Sequence, residues 1–123
     1  MDSSLVAGLL QITAGLGLLN VWLVRGRSAT SYRGGTSVTL RDEFAAYGLP
    51  GFAFYLVGTL KVVSALILIA GVWVALPVQA AAGVVAALMV GALGMHLKIG
   101  DPPLKSLPAA LMLATSVAIV ALR

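Results

Sequence analysis

The sequence predicts an all-α integral membrane protein: a four-helix bundle with antiparallel up-down connections and a short interfacial helix in its first loop. Three observations predict it. Hydrophobic residues make up 60% of the chain and charged residues 10%, against roughly 45–50% and about 25% in soluble domains. Four apolar stretches approach the ~20 residues needed to cross ~30 Å of hydrocarbon. The charges sit mostly between those stretches. A chain of 123 residues suits a single transmembrane domain over 1–123.

The stretches fall at 5–24, 51–76, 78–97 and 104–122, the last most apolar from Leu107 onward. The first differs from a cleaved signal peptide, which carries positive charge ahead of its apolar core. Here Asp2 precedes the stretch and Arg25 follows it, and no convincing small-residue cleavage site follows, so a retained helix is expected. Ala75-Leu76-Pro77-Val78 joins the second and third stretches, and so brief a turn implies a helix hairpin. Lys98 to Lys105 joins the third and fourth, with Gly100 to end one helix and Pro102-Pro103 to stop its continuation.

The first connection is longer. Its Gly/Ser/Arg-rich part, 26–36, reads as irregular. Beyond it, Thr39 and Asp42 have the spacing of a capping box. Phe44 and Tyr47 share a face suited to the membrane surface, and Gly48 and Pro50 close the segment.

Net charge is +4. Because the basic residues flank apolar runs and no RNA-binding motif is present, the expected partner is the lipid bilayer and not nucleic acid. Arg25, Arg27, Arg33, Arg41, Lys98 and Lys105 fall on one side of the bilayer and only Arg123 on the other. The positive-inside rule then puts loops 25–50 and 98–105 in the cytoplasm and both termini outside, in a multi-pass cell-membrane protein. The absence of Cys excludes a disulfide, a thiol redox centre and Cys-ligated zinc or iron–sulfur clusters. The single His is too few for a His-only metal site, so no metal is expected.

Helices in lipid approach closely through small residues. Gly83, Ala87 and Gly91 make a smooth seam on the third helix, a surface for a membrane protein partner or a homo-oligomer. Gly8, Gln11 and Gly15 form a stripe on the first helix.

Polar residues within the membrane are the candidates for function. Lys61 lies about ten residues into the second stretch, roughly 15 Å deep, where a charge costs at least ~2.5 kcal/mol. A polar pocket inside the bundle accounts for it better than snorkelling to the interface. His96 is able to shuttle protons or to donate to a quinone oxygen, or else it caps the third helix. Asp101 follows within reach of His96, Lys98 or Lys105. Asp42 and Glu43 read mainly as surface pairing residues, with Glu43 retained as a pocket candidate. Gln11 and Asn20 are nine residues apart, about 180° around a helix, so Gln11 is expected inside and Asn20 nearer the headgroups. The candidate pocket is therefore Lys61, His96, Gln11, Asp101, Glu43 and Asn20.

Several segments resemble the DoxX-like family of small four-helix membrane proteins. Phe44-Ala45-Ala46-Tyr47-Gly48-Leu49-Pro50 resembles the segment ahead of that family's second helix, and Gly58-Thr59-Leu60-Lys61 followed by Gly71 resembles the helix itself. The run Gly91 to Asp101, with Met95-His96-Leu97-Lys98, resembles the end of its third helix. Leu107-Pro108-Ala109 resembles the start of its fourth. The likeness covers about Phe44 to the C-terminus. The first helix departs from the family's pattern, and the charged position of the second helix, often Glu in relatives, is Lys61 here, which weakens any acid role there.

The resemblance implies an accessory membrane subunit or assembly factor, with a quinone as the cofactor to consider. The residues alone leave two further readings: an enzyme or binding protein acting on a lipophilic small molecule inside the bundle, and, more weakly, a solute or proton carrier. No catalytic motif decides among them.

Overall fold

A computed structural model describes residues 3–24, 34–35 and 39–123. Apart from Gly34 and Gly35, the stretch read as irregular lies outside the described residues, as do Arg25, Arg27 and Arg33. Helix α1 (Ser3–Leu19) runs on into a π-helical turn, Asn20–Val24. Helices α2 (Leu40–Ala46), α3 (Gly51–Ala70) and α4 (Val78–Lys98) follow, then a 3₁₀ turn (Pro103–Ser106) and α5 (Leu107–Leu122). Ser3–Val24, Gly51–Ala70, Val78–Lys98 and Pro103–Leu122 are long and apolar enough to cross a membrane. The described residues contain no strand.

Helix α1 packs on α3 and α5, and α4 packs on the same two. Neighbours in the chain are thus neighbours in space, which gives the up-down ring. The core between the helices is built from Ala14, Leu18, Ala65, Leu68, Val85 and Ile119. Leu5, Leu16, Leu66, Val90 and Leu111 stay exposed on the outside, where lipid tails are their solvent. The spanning helices carry apolar residues on every side because both their packed and their outer faces are dry.

The α1–α3 contact uses the stripe Gly8, Gln11 and Gly15, all buried. A Cβ added at Gly15 would run into Ile69 and lie 2.9 Å from the Ala65 carbonyl oxygen. The α4 seam behaves differently: Gly83, Ala87 and Gly91 are exposed, and a Cβ at Gly83 or Gly91 would meet open space. Inside the bundle α4 uses Val78, Ala81, Ala82, Val85 and Met89 instead.

Helix α3 stops at Ala70, short of the boundary at 76 read from hydropathy. Gly71 caps it, and a side chain there would collide with Val78 of α4. The chain therefore turns directly after Ala70 and reaches α4 through Pro77. Twenty helical residues already span ~30 Å, so hydropathy overestimated the helix by including a turn that is also apolar. Helix α2 carries the capping box, with Thr39 accepting from the Asp42 N–H and Asp42 accepting from the Thr39 N–H. Gly48, at φ +76°, supplies the left-handed residue that turns the chain toward α3.

A Gly15→Leu substitution should destabilise the protein by about 1–3 kcal/mol through overpacking, lowering its melting temperature in detergent. Gly83→Leu should leave it within about 0.5 kcal/mol of wild type. Equal effects at the two glycines would contradict this packing.

Candidate functional site

The basic end of the bundle holds a polar cluster formed by helix periodicity. On α2, Leu40, Glu43 and Tyr47 are buried, on the i, i+3, i+7 face turned toward the spanning helices. The Tyr47 hydroxyl donates to Glu43 Oε1. It also stands 3.5 Å from His96 Nε2, with Glu43 Oε1 4.0 Å from the same nitrogen. On its other side His96 Nδ1 lies 2.7 Å from Asp101 Oδ2. The two side chains are 5% and 4% exposed, so this pair is shielded from water.

Asp101 is held in place by the chain around it. Its own N–H donates to the His96 carbonyl (3.0 Å) as the chain leaves α4. Its Oδ1 accepts from the Gly35 N–H at 2.9 Å and lies 3.9 Å from Lys105 Nζ. Lys105 also donates to the Gly35 carbonyl, and Lys98 donates to the Tyr47 carbonyl at 2.9 Å. Burial alone would raise the Asp101 carboxyl. The hydrogen bonds from His96 and Gly35 and the charges of His96 and Lys105 outweigh it and hold the group below the usual carboxylate value.

Beneath this cluster a cavity of about 370 Å³ opens between the helices, within the size range of small-molecule sites. Its apolar wall includes Leu18, Val21, Met89, Ala92, Ala109 and Met112. Its polar groups are Asn20, Trp22, Glu43, Lys61, His96 and Lys105. The π-helical turn places Asn20, Val21 and Trp22 on this wall together; such turns widen a helix locally and are frequent at functional sites.

Trp22 is wedged between cavities. Its benzo edge lies where a Gly58 side chain would be, 2.6 Å from the position of a Cβ, which leaves the pyrrole edge directed away from Gly58. Phe44 and Phe54 pack on the ring at 5.9 and 5.2 Å. Trp22 also lines a second, outer groove with Phe54, Tyr55 and Val62. Lys61 Nζ sits 5.4 Å from the Trp22 ring centroid, a cation–π contact. Among the described residues Lys61 makes no hydrogen bond and no direct ion pair, although the Glu43 carboxylate on the same cavity attracts its charge. The Trp22 Nε1–H is buried and also lacks an acceptor. Two residues that line one cavity therefore each carry a donor with no hydrogen-bond acceptor among the described residues, in a region where an unmade hydrogen bond is costly.

Of the residues singled out from sequence, Lys61, His96, Glu43 and Asn20 line this one cavity, and Asp101 stands behind His96. Gln11 does not join them. Its Nε2 donates to the Leu68 carbonyl at 2.9 Å, among the last carbonyls of α3, which lack helical partners. Its Oε1 accepts from Arg123 Nε at 2.7 Å. Lys98 serves Tyr47 rather than Asp101. Trp22, Tyr47 and Lys105 were not singled out from sequence. Tyr47 had a signal, since it follows Glu43 by one helical turn. Trp22 had none, because its position depends on the π-helical turn.

The model of the DoxX-like family matches residues 28–119, most of the chain and all of α2 to α4, and the chain belongs to that family. The match begins upstream of the segments quoted above and takes in the first loop. No curated protein and no solved structure matches the chain.

A carboxyl held below its unfolded value contributes stability above that value and loses it as pH falls through the lowered folded value. Asp101→Asn should therefore be less stable than wild type at neutral pH. The difference should close on acidification below about pH 3.9, the unperturbed Asp value. Melting temperatures of both proteins across pH test this; a gap that does not change with pH would contradict it.

Proposed function

We propose that this DoxX-like protein binds a lipophilic small molecule in the cavity between its helices, with an oxygen acceptor of the ligand held by Lys61 and Trp22. The observation that carries the reading is the pair of donors without a hydrogen-bond acceptor among the described residues, the Lys61 ammonium and the Trp22 N–H, on residues that line a cavity with both apolar and polar walls. Apolar groups would accommodate the body of such a molecule, while convergent polar groups would orient it. A carbonyl, phenolate or carboxylate fits the donors. A quinone, the cofactor that the family resemblance raises, falls in this class: Lys61 and Trp22 would hold its oxygen, and it would supply electron transfer when bound.

A second reading, accessory subunit or assembly factor, is favoured by a separate observation. The exposed α4 seam at Gly83, Ala87 and Gly91, with open space beside its glycines, suits a partner helix or a second copy. The two readings are compatible, because seam and cavity are different surfaces. The positive-inside rule supports a cytoplasmic position for the Lys- and Arg-rich end, which would put the cavity near the inner leaflet.

Purification from native membrane followed by mass spectrometry should recover a bound oxygen-bearing lipophile, and Lys61→Met should lose at least about tenfold of its occupancy, equivalent to ~1.4 kcal/mol. A ligand-free wild-type protein, or full occupancy in the variant, would overturn the reading.

The lack of Cys makes single-Cys probes clean. In intact cells an impermeant maleimide should label Ser4→Cys and spare Leu104→Cys, and Gly83→Cys should crosslink to a partner or a second copy. The reverse labelling pattern would invert the orientation, and absence of any crosslink at Gly83 would remove the seam reading.

A further inference from the structure

We propose that the cavity catalyses proton transfer at the carbon next to the carbonyl of a bound lipophilic ketone, with His96 as the base. The proposal rests on the ligand-binding reading and adds a reaction to it.

His96 is arranged as a base. In the neutral form of His96, the Asp101 carboxylate 2.7 Å from Nδ1 keeps the ring proton on Nδ1 and leaves the lone pair on Nε2. Nε2 has only loose neighbours: the Tyr47 oxygen at 3.5 Å and Glu43 at 4.0 Å. The Tyr47 hydrogen is directed to Glu43. The imidazolium formed on proton uptake would lie between the Asp101 and Glu43 carboxylates, in a setting with little water to screen them. Lys105, near Asp101, and Lys61, across the cavity, are the opposing charges.

The second half of the machinery is the unmatched donor pair. Charge developing on a carbonyl oxygen is stabilised by donors already in position, and Lys61 and Trp22 share the cavity with His96. In the step, Nε2 takes the proton from the α-carbon. The C–H electron pair becomes the C=C bond of the enolate, and the carbonyl π pair moves to oxygen beside Lys61 and Trp22. Returning the proton to the same carbon regenerates the ketone. Returning it two carbons further along a β,γ-unsaturated ketone gives the conjugated isomer. Atoms and electrons balance without a co-reactant. His96 is the catalytic base, and Asp101 is a positioning residue that acts through it.

The test uses the full chain in detergent with 2-tetralone as the probe, in D₂O. Trp73→Phe leaves Trp22 as the single tryptophan, since the chain has two Trp, and quenching of its selectively excited emission reports binding. Saturable quenching is expected, with deuterium entering the α-position at least about 100-fold faster than in protein-free detergent, the lower end of general-base effects. His96→Gln should keep the quenching within about twofold and abolish the acceleration, and Asp101→Asn should slow exchange while binding persists. Quenching with exchange no faster than in detergent, or with exchange unchanged in His96→Gln, would overturn the catalytic proposal and leave the binding reading intact. No saturable quenching would overturn both.

Discussion

Hydrocarbon offers no hydrogen-bond partner, so a polar group in the membrane must find one inside the protein. Most of this structure follows from that constraint. Thr13, Thr115 and Ser116 return their hydroxyls to carbonyls one turn back, which satisfies them without a tertiary contact. Gln11 satisfies itself across the bundle, on the Leu68 carbonyl and the Arg123 guanidinium. At the basic end, Glu43, Tyr47, His96 and Asp101 form one connected set of contacts. Against this background the Lys61 ammonium and Trp22 N–H stand out: among the described residues neither has a hydrogen-bond acceptor, and both residues line the cavity.

The same constraint explains what could be read before the structure. The spans, the capped α2 helix and the α1 stripe depend on composition and on spacing within one helix, and those are visible in sequence. The α3 terminus was not, because Gly71 and the turn after it are as apolar as the helix before them. The site divides in the same way. Lys61 and His96 were legible because a charge or an imidazole in an apolar run needs a reason. Gln11 satisfied that criterion as well, yet it belongs to the far end of the bundle. The angular argument put Gln11 inside, where it is fully buried, and Asn20 nearer the headgroups, whereas the π-helical turn brings Asn20 to the cavity. Trp22 and Lys105 acquire their roles only from tertiary placement, Trp22 through the π-helical turn and Lys105 through Gly35 of the first loop.

The first loop has a part in the site beyond joining two helices. Gly34 lies against the Tyr47 ring, where a side chain would be 2.7 Å from the ring. Gly35, at φ +57°, presents its N–H to Asp101 and its carbonyl to Lys105. The glycine pair therefore ties the first loop to the α4–α5 connection and positions the carboxylate behind His96. Larger residues at 34 and 35 would have to displace Tyr47 or strain the backbone. The Gly-Gly step, which reads in sequence as loop filler, supports the imidazole from outside the cavity.

Magnitudes show why Lys61 is tolerated without a direct ion pair. A lysine at the centre of a spanning helix costs about 2.5–3.5 kcal/mol by insertion scales. A desolvated cation–π contact returns about 2 kcal/mol, and the Trp22 ring provides one at 5.4 Å. The remaining cost, about 1 kcal/mol, is small beside the ~5–15 kcal/mol by which domains are stable, and attraction to the Glu43 carboxylate on the same cavity offsets part of it. Glu43 lines the cavity with Lys61 without forming a direct ion pair with it. Instead Glu43 is engaged by Tyr47, Trp22 carries the lysine, and Gly58 makes room for Trp22. That sequence of contacts leaves the ammonium stable enough to exist and able to donate to a ligand's oxygen.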